Sequence, residues 1–233
     1  MAVKRVDLPG IGIVTLQKRR GNKSLRISIN SRGEVKVTLP PWAPYHMAAN
    51  FALARASWIT KHRPDIAPLQ DKTSIGKAHH LVFLPNERIS TPRTNIRGNE
   101  IVVHVPAGYD KNDKRVQGAA HKAIIRALKY EAESLLPGRL AQLAEAHGFA
   151  YKSVTIKRLS SRWGSCDSHK NITLNCYLMQ LPWRLIDYVL LHELVHTRIM
   201  AHGTRFWDEL AEYVPDLATI RKEIRTTRPA VNF

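Results

Sequence analysis

The sequence predicts an α+β protein, with a β-rich N-terminal part carrying one helix over residues 1–108 and a mainly helical domain with a small antiparallel sheet over residues 109–233. Three observations predict it. Apolar and polar residues alternate at period two through much of the first hundred residues. After the turn-rich stretch "PAGYDKND", residues 106–113, the period becomes helical. Finally, the largely apolar run "YVLLHELVHTRIMAHGTRFW", residues 188–207, carries histidines and a glutamate that an interior tolerates only with partners.

The strands are "GIVTLQKR", "SLRISINSRGEVKVTLP", "HHLVFL" and "EIVVHVP". "NSRGE" supplies a hairpin turn, with Gly33 free to take a positive φ. Residues 1–40 hold nine Lys or Arg against two acids, many on the polar side of the alternation; this suits a solvated sheet face or a platform for phosphates. Between Ala43 and His62, the residues Met47, Phe51, Ala54 and Trp58 recur at helical spacing, so one amphipathic helix with Trp58 as a core anchor is expected. "DKRVQGAAHKAIIRALKYEAESLL" reads as a long helix, Pro137 as the start of a second, and Gly148 as its C-terminal stop. "KSVTIKRLS" and "NITLNCYL" return to strand composition, joined by the loop "SRWGSCDSHK". Pro182 opens a last long helix, from about Trp183 to about Met200. The sequence shows no internal repeat.

Composition narrows the partners. Apolar residues are 44% and charged residues 24% of the chain, as in soluble globular proteins. No apolar run approaches the ~20 residues of a bilayer span, and the N-terminus lacks a signal-peptide pattern, so no membrane association is expected. Two cysteines, Cys166 and Cys176, with no CxxC pair, suit a reducing compartment and a cytoplasmic location. The formal net charge of +17 favours nucleic acid, an acidic protein surface or anionic lipid as partner, although no recognised nucleic-acid motif accompanies it.

The polar groups in the apolar run form a pattern with chemistry. On a helix, His192 and His196 lie one turn apart and about 40° round the axis, so two imidazoles can reach one Zn²⁺. Glu193 beside them reaches a metal-bound water and serves as general base, the logic of H-E-x-x-H. By accident that pattern is expected in on the order of a few per cent of chains with 11 histidines, so alone it does not decide. Here the helix is apolar nearly all round (Leu185, Ile186, Val189, Leu190, Leu194, Val195), and a third candidate ligand follows, His202. On a straight helix His202 would sit about 9 Å farther along and about 120° away from His196, unable to share the ion. The chain must therefore reverse near Met200, with Gly203 to relieve the turn and Thr204 to cap a helix turning Phe206, Trp207 and Leu210 inward. Three protein ligands leave a fourth zinc position open, which marks a catalytic site rather than a structural one. Amide hydrolysis is the chemistry such a site can do.

"SSRWGSCDSHKNITLNCYL", "IDYVLLHELVH" and "HGTRFW" together resemble the YgjP-like metallopeptidases, relatives of the SprT and WLM zincins. The likeness runs over about residues 110–215, and "SWITKH" and "HHLVFL" stand earlier in the order that family shows. The resemblance implies a zincin-like metallopeptidase domain in the C-terminal part, zinc held by His192, His196 and His202, Glu193 as base, and a protein or peptide substrate. The histidine spacing also equals that of the metzincins, but Ile199 stands where they require glycine, which rejects that group. SprT-like relatives include proteases acting on DNA-bound proteins, which would give the positive charge a purpose.

Zincins hold substrate on an edge strand, and chain order makes Asn171–Cys176 the candidate, with an interior strand the alternative. Trp163 either shapes a pocket or fills the core. Tyr177, Tyr188, Tyr213, Arg162 and His169 are chemically able to stabilise an oxyanion, and Asp187, Asp208 and Glu209 to orient a ligand histidine. Two competing functions remain open: a basic nucleic-acid-associated protein with a structural zinc, and a zinc hydrolase of a small amide or ester.

Overall fold

Alternation in the first forty residues builds a four-stranded mixed sheet in the computed structural model, which describes residues 2–30, 33–63 and 67–227. Its strands are β1 (Val3–Leu8), β2 (Gly12–Lys18), β3 (Arg26–Ile29) and β4 (Val35–Leu39), in the order β1-β2-β4-β3. β2 and β4 run parallel, and the outer pairs run antiparallel. Period-two burial puts Val14, Leu16, Val35, Val37 and Leu39 on one face. At the β3–β4 turn Gly33 takes φ +69°, and its N–H donates to the Asn30 carbonyl at 2.9 Å; Ser31 and Arg32 lie outside the described residues.

Two short helices, α1 (Tyr45–Leu53) and α2 (Ala56–His62), stand where one was expected. The face also differs. Ala48, Ala52 and Ile59 are buried in this core; the two alanines let α1 approach the sheet closely, and Ile59 anchors α2. Trp58 is 45% exposed and stacks on His62 with ring centroids 4.3 Å apart, so it is no core anchor.

The chain divides into two compact units, the first ending at Ala67 and the second beginning at Pro68. Residues 68–108, grouped by sequence with the N-terminal strands, thus fall in the second unit. The reason is packing: β5 (Ser74–Ile75), β6 (His79–Asn86), β7 (Arg93–Arg97) and β8 (Glu100–Pro106) form a sheet of order β5-β6-β8-β7 that packs through β7 and β8 on α3 (Lys114–Ala146). The pairing repeats the first sheet, antiparallel, parallel, antiparallel. The sequence hides this repetition because strand pairing needs only apolar alternation, not recurring letters.

Pro137 lies inside α3 rather than at the start of another helix. A proline in a helix interior costs about 3 kcal/mol; burial of Leu136 and Leu140 beside it offsets that at roughly 1.5–3 kcal/mol each. Asp113 caps the N-terminus by accepting the Arg115 N–H at 2.7 Å. Gly148 ends the helix at φ +66° with Phe149 N–H on Ala144 O and its own N–H on Glu145 O, a Schellman closure.

The small sheet of the second unit is mixed, not antiparallel. β9 (Ser153–Lys157) and β11 (Asn171–Asn175) are parallel, because the intervening loop contributes a strand of its own, β10 (Gly164–Cys166), that reverses onto β11. A 3-10 turn, Cys176–Gln180, leads to α4 (Trp183–Val195), followed by α5 (Thr204–Tyr213) and α6 (Leu217–Thr226). Among the described residues no helix is long and apolar enough to cross a membrane.

Candidate metal centre

α4 ends at Val195, a turn earlier than expected. Thr197 causes this: its hydroxyl donates to Leu194 O at 2.7 Å, and Thr197 N–H and Arg198 N–H tighten to three-residue bonds on Leu194 and Val195. His196 keeps helical angles at the cap, so its one-turn relation to His192 survives. The chain then reverses and enters α5, with Gly203 in extended conformation (φ −79°, ψ −176°) as its N-cap and Thr204 as its first helical residue. Phe206 and Leu210 are buried, and Trp207 is partly so.

This reversal brings three distant imidazoles together. The Nε2 atoms of His192 and His196 are 3.2 Å apart, those of His196 and His202 3.1 Å, and those of His202 and His192 3.0 Å. A hydrogen bond needs one donor and one acceptor, and three nitrogens of two kinds always leave one pair alike. Protons therefore cannot satisfy the triangle, whereas a cation can. Nitrogens ~2.0–2.1 Å from one tetrahedral Zn²⁺ would stand about 3.3 Å apart, close to what the triad shows. Nδ1 of His196 lies 3.1 Å from Ile199 O and donates to it, which leaves Nε2 as a lone pair toward the triangle. Burial chiefly, with the charges of His196 and His202 and then Arg221, pushes His192 down to about 3; burial also lowers His196. Neutral imidazoles near pH 7 are ready ligands.

Glu193 is 5% exposed, and burial pushes its carboxyl up to about 8 against the opposing charge of Arg162. Its Oε2 is buried with no hydrogen-bond partner among the described residues, as is Nδ1 of His192. The neighbour that shapes Glu193 is Gly164 at the head of β10, where no Cβ intrudes.

β11 is paired on both sides, so the interior alternative holds for Asn171–Asn175; β9 and β10 are the edge strands, and β10 packs on α4. Trp163 is partly buried, its carbonyl accepting Asn175 N–H at 2.9 Å. The tyrosines separate. Tyr188 is buried with its ring 6.0 Å from that of His192, and burial raises its pKa. Tyr213 packs on Phe149 and accepts from Arg198 at 3.3 Å, and Tyr177 is buried in the 3-10 turn. His169 sits in the turn whose backbone Asp167 binds. Asp187 pairs with Arg139 and Glu209 with Arg198, so the group orienting His196 is a backbone carbonyl rather than either carboxylate.

Two supports escaped the sequence reading. Asn175, wholly buried, donates to Leu159 O (2.9 Å) and Arg162 O (2.8 Å), pinning the loop into β10. Trp207 donates its indole N–H to His202 O at 3.2 Å and stacks on that imidazole, centroids 5.5 Å apart at 27°. The one sequence signal for Asn175 was an amide closing an apolar alternation.

The sequence model of the YgjP-like metallopeptidase domain matches residues 23–227. This chain belongs to the YgjP-like family. Among solved structures, the YgjP-like chain is similar to two metallopeptidase zymogens. Abylysin of Pyrococcus abyssi shares 23% identity at a TM-score of 0.36, the match covering 40% of this chain and 93% of that one. Jannalysin of Methanocaldococcus jannaschii shares 24% at 0.34, covering 37% and 90%. A search of curated proteins finds no match. The YgjP-like chain is thus a metallopeptidase by family, with a histidine triad able to hold a metal ion.

Proposed function

We propose that this protein hydrolyses peptide bonds with zinc held by His192, His196 and His202 and with Glu193 as the catalytic base. The carrying observation is the Nε2 triangle of 3.0–3.2 Å beside a buried carboxylate with an unpartnered oxygen. Zinc bound there supplies a Lewis acid that brings the pKa of water toward ~7 and polarises the scissile carbonyl. Glu193 accepts the proton of the attacking water and passes it to the leaving amine. A cation in the triad would draw the Glu193 carboxyl down from about 8, so that it is ionised when it must act. The edge strand β10, beside Glu193, offers free backbone groups for an extended peptide. This favours a peptide over a small amide or ester. Unpaired Cys166 and Cys176 support a reducing, cytoplasmic setting.

The test is a pair of variants. Glu193→Gln keeps zinc, measured by elemental analysis, and loses turnover of a casein or peptide-library substrate. His196→Ala loses both. Undiminished hydrolysis by Glu193→Gln would falsify the mechanism.

A further inference from the structure

Two arginines flank the centre, and among the described residues neither makes an ion pair with a carboxylate. The guanidinium carbon of Arg221, on α6, stands 3.5 Å over the Trp207 ring, and Trp207 is itself stacked on His202. The Trp207 indole thus touches both that charge and the third imidazole. Arg162 enters β10 two residues before Gly164, its carbonyl fixed by Asn175. The charge of Arg221 is felt at His192 and Tyr188, and that of Arg162 at Glu193.

Several neighbouring acids are otherwise engaged. Asp187 binds Arg139, Glu209 binds Arg198, and Glu223 binds Arg184. Asp167 closes its own turn by accepting the His169 and Asn171 N–H groups. The centre is thus bordered by two cations that no carboxylate neutralises among the described residues, in a chain of net charge +17. A guanidinium already seated over an indole has little freedom still to lose, and its fork matches a carboxylate.

We propose that the site selects acidic peptides, with Arg221 binding a substrate carboxylate on the His202 side and Arg162 adding attraction on the Glu193 side. This rests on the peptidase reading and names its substrate class. The carboxylate comes either from an Asp or Glu side chain or from the peptide C-terminus; a polyphosphate chain is the rival occupant.

The test is equilibrium binding to zinc-loaded Glu193→Gln protein, read by anisotropy of labelled peptides, so that it does not depend on turnover. An acidic peptide binds about tenfold tighter than its Gln/Asn analogue, the worth of one charge-assisted hydrogen bond. Adding Arg221→Gln removes most of that preference, Arg221→Lys restores part, and Arg162→Gln reduces it as a second, independent variant. Lys122→Gln, an exposed cation on α3, leaves it intact. A preference that persists in C-terminally amidated peptides assigns the carboxylate to a side chain; one that vanishes on amidation assigns it to the terminus. Equal binding of acidic and neutral peptides, a preference untouched by both arginine variants, or displacement by an oligonucleotide at equal charge overturns the proposal. Absence of Glu193-dependent cleavage by the unsubstituted zinc protein would instead overturn the peptidase reading, whatever the binding data show.

Discussion

Gly164 and Glu193 meet without room for a methyl group: a Cβ on Gly164 would stand 2.6 Å from Oε1 of Glu193 and 2.9 Å from its Cγ and Cδ. Glu193 is buried and cannot swing away cheaply. Gly164→Ala is therefore expected to displace the carboxylate while leaving the histidines in place. A displacement of about 1 Å lowers turnover on the order of 10²-fold. Zinc content should stay at one ion per chain. Unchanged turnover at full zinc would show that this contact does not position the carboxylate proposed as base.

Metal-free protein should reveal the buried carboxyl through its stability. Glu193 is raised from 4.5 to about 8, so its contribution is fully present below 4.5 and is lost as pH rises through 8. His192 is depressed from 6.5 to about 3, so its contribution is present above 6.5 and is lost as pH falls toward 3. The two slopes oppose, and the Glu193 one is isolated by comparison with Glu193→Gln. The difference in Tm should move in favour of the glutamine variant as pH rises from about 4.5 to about 8. A pH-independent difference would place that carboxyl in contact with water.

The residues that could be read from sequence are those whose chemistry is local. His192, Glu193 and His196 share one helical turn, and the polar interruption of an apolar run exposes them. His202 follows from a necessity: the three could meet only if the chain reversed, and residues 196–203 supply the reversal. What stayed hidden depends on partners remote in sequence. Gly164 lies 29 residues from Glu193. Arg221 lies over the Trp207 ring, which in turn stacks on His202. Trp58 misled because helical spacing fixes which residues share a face but not which face the sheet takes. Pro137 reads as a helix start because proline suits a first turn, and the burial of Leu136 and Leu140 that carries α3 through it depends on residues remote in sequence.

Glu131 anchors a second buried polar cluster. Its carboxylate accepts the N–H of Lys77 (2.8 Å) and of Ala78 (3.0 Å) and meets Nδ1 of His79 at 2.5 Å, while Lys77 reaches Leu181 O and lies over Trp183. At 5% exposure, truncation leaves several donors buried without an acceptor. Glu131→Ala should cost roughly 3–5 kcal/mol in denaturant unfolding. The folded fraction should still bind zinc, since none of these groups touches the triad. A loss under about 1 kcal/mol would mean that water reaches the donors once the carboxylate is gone.

Trp207 separates two ways of holding His202. Unlike His192 and His196, His202 is exposed and stands on the reversal rather than on α4, so its imidazole needs other restraint. Trp207 offers two: an N–H donated to His202 O and a near-parallel ring. Trp207→Phe keeps a ring and deletes the donor. Partners behind ligands are worth 10–100-fold in metal affinity, so zinc Kd measured by chelator competition should rise about tenfold in Trp207→Phe. His202→Ala, which deletes the imidazole itself, should weaken binding further. Should Trp207→Phe hold zinc as tightly as the unsubstituted chain, the backbone path from Ile199 to Gly203 alone fixes the third imidazole, and the indole serves only to seat Arg221.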